Sequence, residues 1–193
     1  MDENISKAID ILKQGGIVIF PTDTAFGIGC RMDNKDSVER LFSIRKRPQS
    51  QATPVLFNNI EVMKDYLLDI PKEVKEKLMD KYWPGALTIV LPCKTEKISR
   101  LVRGNSNNLG VRIPDNDITL SIIKKVGVGV LGPSANFHGA KTPYNFEDLD
   151  PELVSLVDFV VNGECKLKQA STVVDCSVKP WQIIREGAVK LSL

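Results

Sequence analysis

The chain has 193 residues, 42% of them hydrophobic and 26% charged, and its 26 Lys and Arg against 24 Asp and Glu leave a net charge of only +2. That length suits one domain able to bury a sizeable core, and that charge is too small to argue by itself for a nucleic-acid partner. Cys30, Cys93, Cys165 and Cys176 form no Cys-x-x-Cys pair, so neither a zinc site nor a disulfide framework is indicated, and free thiols suit a reducing cytoplasm. No apolar run reaches membrane-spanning length, and the acidic, amphipathic N-terminus is unlike a secretory signal.

Ile5, Ala8, Ile9 and Leu12 recur at helical spacing and predict a short amphipathic helix closed by Gly15 and Gly16. The Ile17-Val18-Ile19-Phe20 run that follows reads as a strand covered on both faces. A hairpin would continue with Asn-Gly or Asp-Gly and a second alternating run. The strand empties instead into Pro21-Thr22-Asp23-Thr24, which puts two hydroxyls and a carboxylate at a sheet edge, where open α/β sheets bind ligands. The plainer alternative is a tight turn whose Thr and Asp side chains satisfy their own backbone. A capping box from Asp36 to Glu39 opens a second helix, limited by Pro48. A short strand at 54–57 and helices near 60–68 and 72–81 follow, the second with Pro71 in its first turn.

Trp83-Pro84-Gly85 is a turn, 86–91 a strand, 94–108 a polar loop and 109–113 another strand. Asp115 or Asn116 caps a helix carrying Ile118, Leu120, Ile122 and Ile123. The strand at 128–131 ends in Gly132-Pro133-Ser134-Ala135-Asn136, and after a helical stretch come strands at 158–161, 172–175 and 181–185. The alternation predicts a single mixed α/β domain over 1–193, with parallel pairs where helices intervene and antiparallel ones among the closely spaced last strands.

Several apolar strands carry, or end in, a small polar group or a guanidinium: Thr22, Asp23 and Thr24; Arg112 with Asn108; Ser134 and Asn136; Ser171 and Thr172; Arg185. Arg45-Lys46-Arg47 adds three consecutive cations after a helix, for which a solvated helix end is the alternative. Arginines and hydroxyls converging on one cleft would suit a polyanion. Arg112 needs a polar hole to face, since Val111 and Ile113 point the other way; the alternative is an edge arginine in solvent. Other chemistries find little support. No phosphate-binding G-x-x-x-x-G-K-[ST] is present, and Gly27-Ile28-Gly29 lacks the third glycine of a dinucleotide fingerprint. A Ser-His-Asp or Cys-His hydrolase would rest on His138, the only histidine, without a G-x-S-x-G. Asp23 and Asp175 could hold hydrated magnesium with substrate phosphates, or anchor turns.

GGIVIFPTDTAFGIG, Gly15 to Gly29, resembles the G-G-x-x-x-x-P-T-[DE]-T-x-[YF]-G-[LI]-G signature of the YrdC/TsaC family, the threonylcarbamoyl-AMP synthases. The likeness continues in family order through Arg45–Pro48, Trp83–Pro92, Gly110–Pro114, Gly132–Asn136, Ser171–Asp175 and Ile184–Ala188. It implies a twisted, open α/β sheet of mixed parallel and antiparallel strands, with flanking helices and a large concave basic cavity, in the short single-domain form. The implied reaction joins L-threonine, bicarbonate and ATP, with magnesium, into L-threonylcarbamoyl-AMP and pyrophosphate in the cytoplasm. The product passes to a transferase complex that modifies tRNA.

By the same resemblance Thr24, Arg112, Gly132 and Ser171 match contacts to threonine. Arg47, Gln51, Asn108, Ser134, Thr142 and Arg185 match contacts to ATP, and Asn136 orders its loop or meets phosphate. Arg45 and Arg47 are the candidates for catalytic charge compensation. Three departures stand out: Arg45 replaces a family lysine, Gln51 a basic residue and Phe26 the commoner tyrosine. The first two favour the alternative of a non-catalytic nucleotide- or RNA-binding paralogue. A stand-alone carbamoyl-transfer domain of the hydrogenase-maturation type would lack its usual acylphosphatase and zinc modules.

Overall fold

The computed structural model describes residues 2–192. Helix α1 (Glu3–Lys13) starts where the Asp2 side chain accepts from the Asn4 amide at 2.8 Å, and it buries Ala8, Ile9 and Leu12. Strand β1 (Val18–Phe20) follows, wholly buried as its composition predicts. Helix α2 (Lys35–Ile44) begins two residues earlier than expected: Asn34, not Asp36, caps it, accepting from the Ser37 amide at 3.0 Å.

Strand β3 (Val55–Leu56) leads to α3 (Ile60–Lys64), which is shorter than its apolar pattern indicated. Helix α4 (Lys72–Val74) runs through a π-helical turn (Lys75–Met79) into α5 (Asp80–Tyr82). Strands β4 (Leu87–Pro92) and β5 (Asn108–Arg112) flank the polar loop. Helix α6 (Asp117–Val126) is capped by Asn116 and ends at Gly127, whose φ of 84° a side chain would disfavour. Strand β6 (Val130–Leu131), α7 (Pro151–Ser155), β7 (Phe159–Val160), β8 (Thr172–Asp175) and β9 (Gln182–Arg185) complete the chain.

The strands form two sheets, ordered β6-β3-β5-β4-β8-β9 and β2-β1-β7, where β2 is Gly27–Gly29. Parallel pairs (β1·β7, β3·β5, β4·β8) and antiparallel pairs (β1·β2, β3·β6, β4·β5, β8·β9) are mixed. Strand β2 corrects the reading that β1 does not enter a hairpin: Val18 pairs with Gly29 and Phe20 with Gly27, around the 21–26 loop. Gly27-Ile28-Gly29 holds a single apolar side chain between two glycines, too short a pattern to carry a strand signal.

Those glycines answer to sterics instead. A Cβ on Gly29 would lie 2.1 Å from the Leu131 carbonyl oxygen, and one on Gly27 3.1 Å from the Phe20 ring. With no side chain at Gly27 or Gly29, β2 approaches β6 closely, and Ile28, Leu131 and Ala135 amides donate to Pro133, Cys30 and Phe26 carbonyls at 2.8–2.9 Å. The two sheets are thereby hydrogen-bonded along one seam into a bent, open array. The 21–26 loop and the 132–136 loop meet at the bend. Among the described residues no helix is long and apolar enough to cross a membrane.

Candidate substrate pocket

At that seam lies a pocket of about 130 Å³. Thr24, Arg45, Arg47, Arg112, Gly132, Ser134, Thr142, Ser171 and Arg185 all line it, although they come from seven segments of the chain. Scattered polar groups after unrelated strands therefore converge.

Arg112 is the innermost. Only 5% of its surface is exposed, and its partner Asp23 is 1% exposed. Its Nε donates to the Gly85 carbonyl at 2.9 Å, Nη1 to Thr24 Oγ1 at 2.9 Å, and Nη2 to Asp23 Oδ1. Three of five guanidinium N–H groups are thus engaged, leaving two for a ligand. Burial lowers the Arg112 pKa, the Asp23 carboxylate opposes that fall, and Arg185 adds to it. Thr22 accepts from the Thr24 and Ala25 amides, both at 3.2 Å, and donates to the Ala25 carbonyl, so the plainer turn reading holds for Thr22, although it borders the pocket together with Thr24.

Arg45 is 2% exposed and makes no ion pair with any described residue. Its Nε and Nη2 donate to the Asn136 carbonyl and Oδ1 at 3.1 and 3.3 Å, and its Nη1 is buried without a partner. Burial, then the charge of Arg47, pushes its pKa down to about 10, so it stays cationic at neutral pH. A solvated helix end is therefore the wrong description of Arg45. Arg47 donates from Nε to the Gln51 carbonyl at 3.1 Å and from Nη2 to that of Ala52.

Asn136 sits behind the lining as a bracket. Its Oδ1 also accepts from Ser134 Oγ at 2.6 Å, while its Nδ2 donates to the Ala140 carbonyl at 2.6 Å. Across the pocket, Ser171 Oγ lies 3.0 Å from Thr88 Oγ1 and accepts from Arg185 Nη2 at 2.9 Å. Arg185 is held further by two bonds to the Ser171 carbonyl at 2.8 and 3.0 Å. A Cβ on Gly132 would sit 2.4 Å from the Leu56 side chain, so this corner tolerates only glycine.

Besides Asn136, two expected site residues stand outside the lining. Asn108 lies at the other end of β5 from Arg112, about 13 Å away by strand rise, and donates to Ser177 Oγ at 2.9 Å. Gln51 is exposed and engages Arg47 only through its backbone, so its missing charge does not alter the pocket. Conversely, Thr88, Pro54, Leu56 and Ala170 line the pocket without having been singled out. A threonine inside an apolar strand is an ordinary strand residue, and nothing marks Thr88 until β4 is known to pair with β8.

Each candidate carboxylate has one oxygen committed: Asp23 Oδ1 is held by Arg112 while its Oδ2 is buried without a partner, and Asp175 Oδ1 accepts from the Ser177 amide and hydroxyl at 2.8 and 2.6 Å. Among the described residues no cluster of three or more His, Cys, Asp or Glu could hold an ion. His138 is exposed, and burial pushes the Cys30 and Cys176 thiols up to about 12, so thiolate chemistry has no candidate there. The pocket offers oriented cations and hydroxyls, which bind and stabilise anions.

A family model described as telomere recombination, covering Sua5, YciO and YrdC proteins, matches residues 10–187. The chain is 31% identical over 192 residues to a threonylcarbamoyl-AMP synthase of Bacillus subtilis, covering 97% of this chain and 54% of the relative. It is 31% identical to a threonylcarbamoyl-AMP synthase of Xanthomonas campestris pv. campestris, covering 95% of this chain and 97% of that one. Among solved structures, Sua5 of P. abyssi complexed with L-threonine superposes with a TM-score of 0.87 at 28% identity, covering 95% of this chain and 54% of that one. The chain thus spans about half the length of the first two curated relatives it matches.

Proposed function

Since this chain belongs to the Sua5/YciO/YrdC family, we propose that it forms L-threonylcarbamoyl-AMP and pyrophosphate from L-threonine, bicarbonate and ATP. The observation that carries the proposal is the convergence of Thr24, Arg112, Ser134, Ser171 and Arg185 with Arg45 and Arg47 on one pocket.

The residue types suit the chemistry. Threonine's amine and CO₂ give a carbamate that is already an anion and needs no strong general base. One carbamate oxygen bonds to the α-phosphorus while the bond from that phosphorus to the leaving phosphate oxygen breaks. Such a transfer requires positioning and charge compensation more than a nucleophilic side chain. The two free N–H groups of Arg112 would receive the threonine carboxylate, beside the Thr24 and Ser171 hydroxyls. Arg45, Arg47, Ser134, Thr142 and Arg185 would face the phosphates. Asn108 and Gln51 would meet only a part of the nucleotide that extends beyond the pocket.

Magnesium would arrive as the ATP complex, held mainly by phosphate oxygens, because no cluster of three or more protein ligands is present among the described residues. The product would pass, in the cytoplasm, to a transferase that modifies tRNA. The test is pyrophosphate release from ATP by the purified protein, with threonine and bicarbonate omitted in turn. Release that needs both supports the proposal. No threonine-dependent release from folded protein overturns it in favour of a nucleotide or RNA binder.

A further inference from the structure

Beside the pocket lies a second cavity of about 990 Å³, between one face of α2 and the 95–101 turn. The two share a wall, the exposed loop from Arg47 to Pro54: Arg47 lines both cavities, Gln49 the larger and Pro54 the smaller. The pocket is smaller than the ~300–1,000 Å³ of sites that enclose drug-sized ligands. It has room for an amino acid, and a triphosphate must run out of it.

Cations outnumber carboxylates in the larger cavity: Lys35, Lys46, Arg47, Lys97, Arg100 and Arg103 against Asp33, Glu39 and Glu96. Arg47, Lys97, Arg100 and Arg103 line it, and none makes an ion pair with a described residue. Arg47, Lys97 and Arg103 donate to backbone carbonyls only, and Arg103 is 7% exposed. Of the cavity's carboxylates, Asp33 is taken by Arg31 at 2.7 Å and Glu39 faces Lys35 at 3.8 Å. Four unpaired cations, one of them almost wholly desolvated, call for a compact and highly charged anion. An extended phosphate backbone is less well suited, because Asp33, Glu39 and Glu96 also border the cavity.

We propose that this cavity is the exit subsite for the pyrophosphate of the adenylate-forming reaction, with Arg47 as the cation common to both compartments. The inference rests on the proposed reaction, in which the electron pair of the broken phosphorus–oxygen bond leaves on pyrophosphate and no proton need move. Pyrophosphate is the most highly charged product, and a cationic cavity next to the reaction centre draws it away from the α-phosphorus.

The test is calorimetric binding of inorganic pyrophosphate to the wild type and to the double variant Lys97→Glu/Arg100→Glu. Both side chains are exposed, unpaired and outside the pocket. Affinity is expected to fall about tenfold or more, as for removal of two exposed charge contacts, with threonine affinity and unfolding temperature unchanged. The same factor is expected in the inhibition of turnover by pyrophosphate. Unchanged pyrophosphate affinity overturns the inference. So does weakened binding of a short RNA with unchanged pyrophosphate affinity, which would assign the cavity to nucleic acid. The binding readout needs no turnover. A wild type that holds pyrophosphate through these residues yet fails the threonine-dependent assay overturns the reaction and retains the anion site.

Discussion

Replacing Asp23 by alanine tests whether the interior charge of the pocket is held as the structure indicates. Asp23 and Arg112 are 1% and 5% exposed, and Asp23 is the only carboxylate bonded to that guanidinium. Removing one member of a buried pair leaves the other charged and desolvated, at a cost of about 3–5 kcal/mol. In a domain of this size 1 kcal/mol moves the melting temperature by roughly 2–4 °C, so Asp23→Ala should melt about 6–20 °C below wild type. Arg112→Ala should be comparably destabilised, because it strips the Gly85 carbonyl and Thr24 of donors as well. In the double variant no stranded charge remains, and its loss should be well below the sum of the two singles. Thermal and urea unfolding of the four proteins give the coupling directly. Additive losses, or an Asp23→Ala melting point within about 2 °C of wild type, would refute the argument.

Two further outcomes follow from packing and titration. A Cβ on Gly187 would lie 2.4–2.5 Å from the backbone of Ala170, Ser171 and Thr172, so Gly187→Ala should cost about 1–3 kcal/mol by overpacking and, by displacing Ser171, raise the KM for threonine more than that for ATP; steady-state kinetics with an unfolding curve checks both. Asp158 ties β7 to β1 and α2, accepting from the Ile17 amide at 2.7 Å and from Arg40 at 2.6 Å, and its pKa is lowered first by Arg40, against burial. A carboxylate with a depressed folded pKa contributes stability that is present above its unfolded pKa, near 3.9, and is lost as pH falls through the folded value. Asp158→Asn should therefore flatten the acid limb of a stability–pH curve below about pH 4, and an unaltered limb would count against the assignment.

How much of this was legible in the sequence depended on whether the signal was local. Helix α1 announced itself through apolar periodicity, α2 through a capping box placed two residues late, and α6 through an Asx cap with its apolar residues, and the expected strands lie within a residue or two of those observed. Arg112 stood out because it interrupts an apolar run with a group that must be satisfied, and Ser134, Ser171 and Arg185 because each lies at an end of an apolar strand. Strand β2 was invisible because its glycines exist for a close backbone approach, which is a property of the seam. The role of Asp23 was hidden for the same reason: a carboxylate in a turn looks like a turn anchor until a guanidinium 89 residues away is brought onto it. The cationic cavity was beyond reach, since its walls come from α2 and the 95–101 turn.

The exchange of the family lysine for Arg45 takes on a definite meaning once its partners are known. A lysine presents a point charge on a flexible stem, whereas a guanidinium offers a rigid fork. Arg45 spends two arms of that fork on the carbonyl and Oδ1 of one residue, Asn136. That same Oδ1 accepts from Ser134, and the amide nitrogen of Asn136 ties the loop to Ala140. Arg45 is therefore a cation of the pocket wall and a clamp on the loop that carries Ser134. With no carboxylate to neutralise it and a pKa still about 10, it keeps its charge where phosphates would lie, so the departure from lysine preserves electrostatics and adds rigidity. A pocket that works by orienting anions has more to gain from the clamp than to lose from the altered reach.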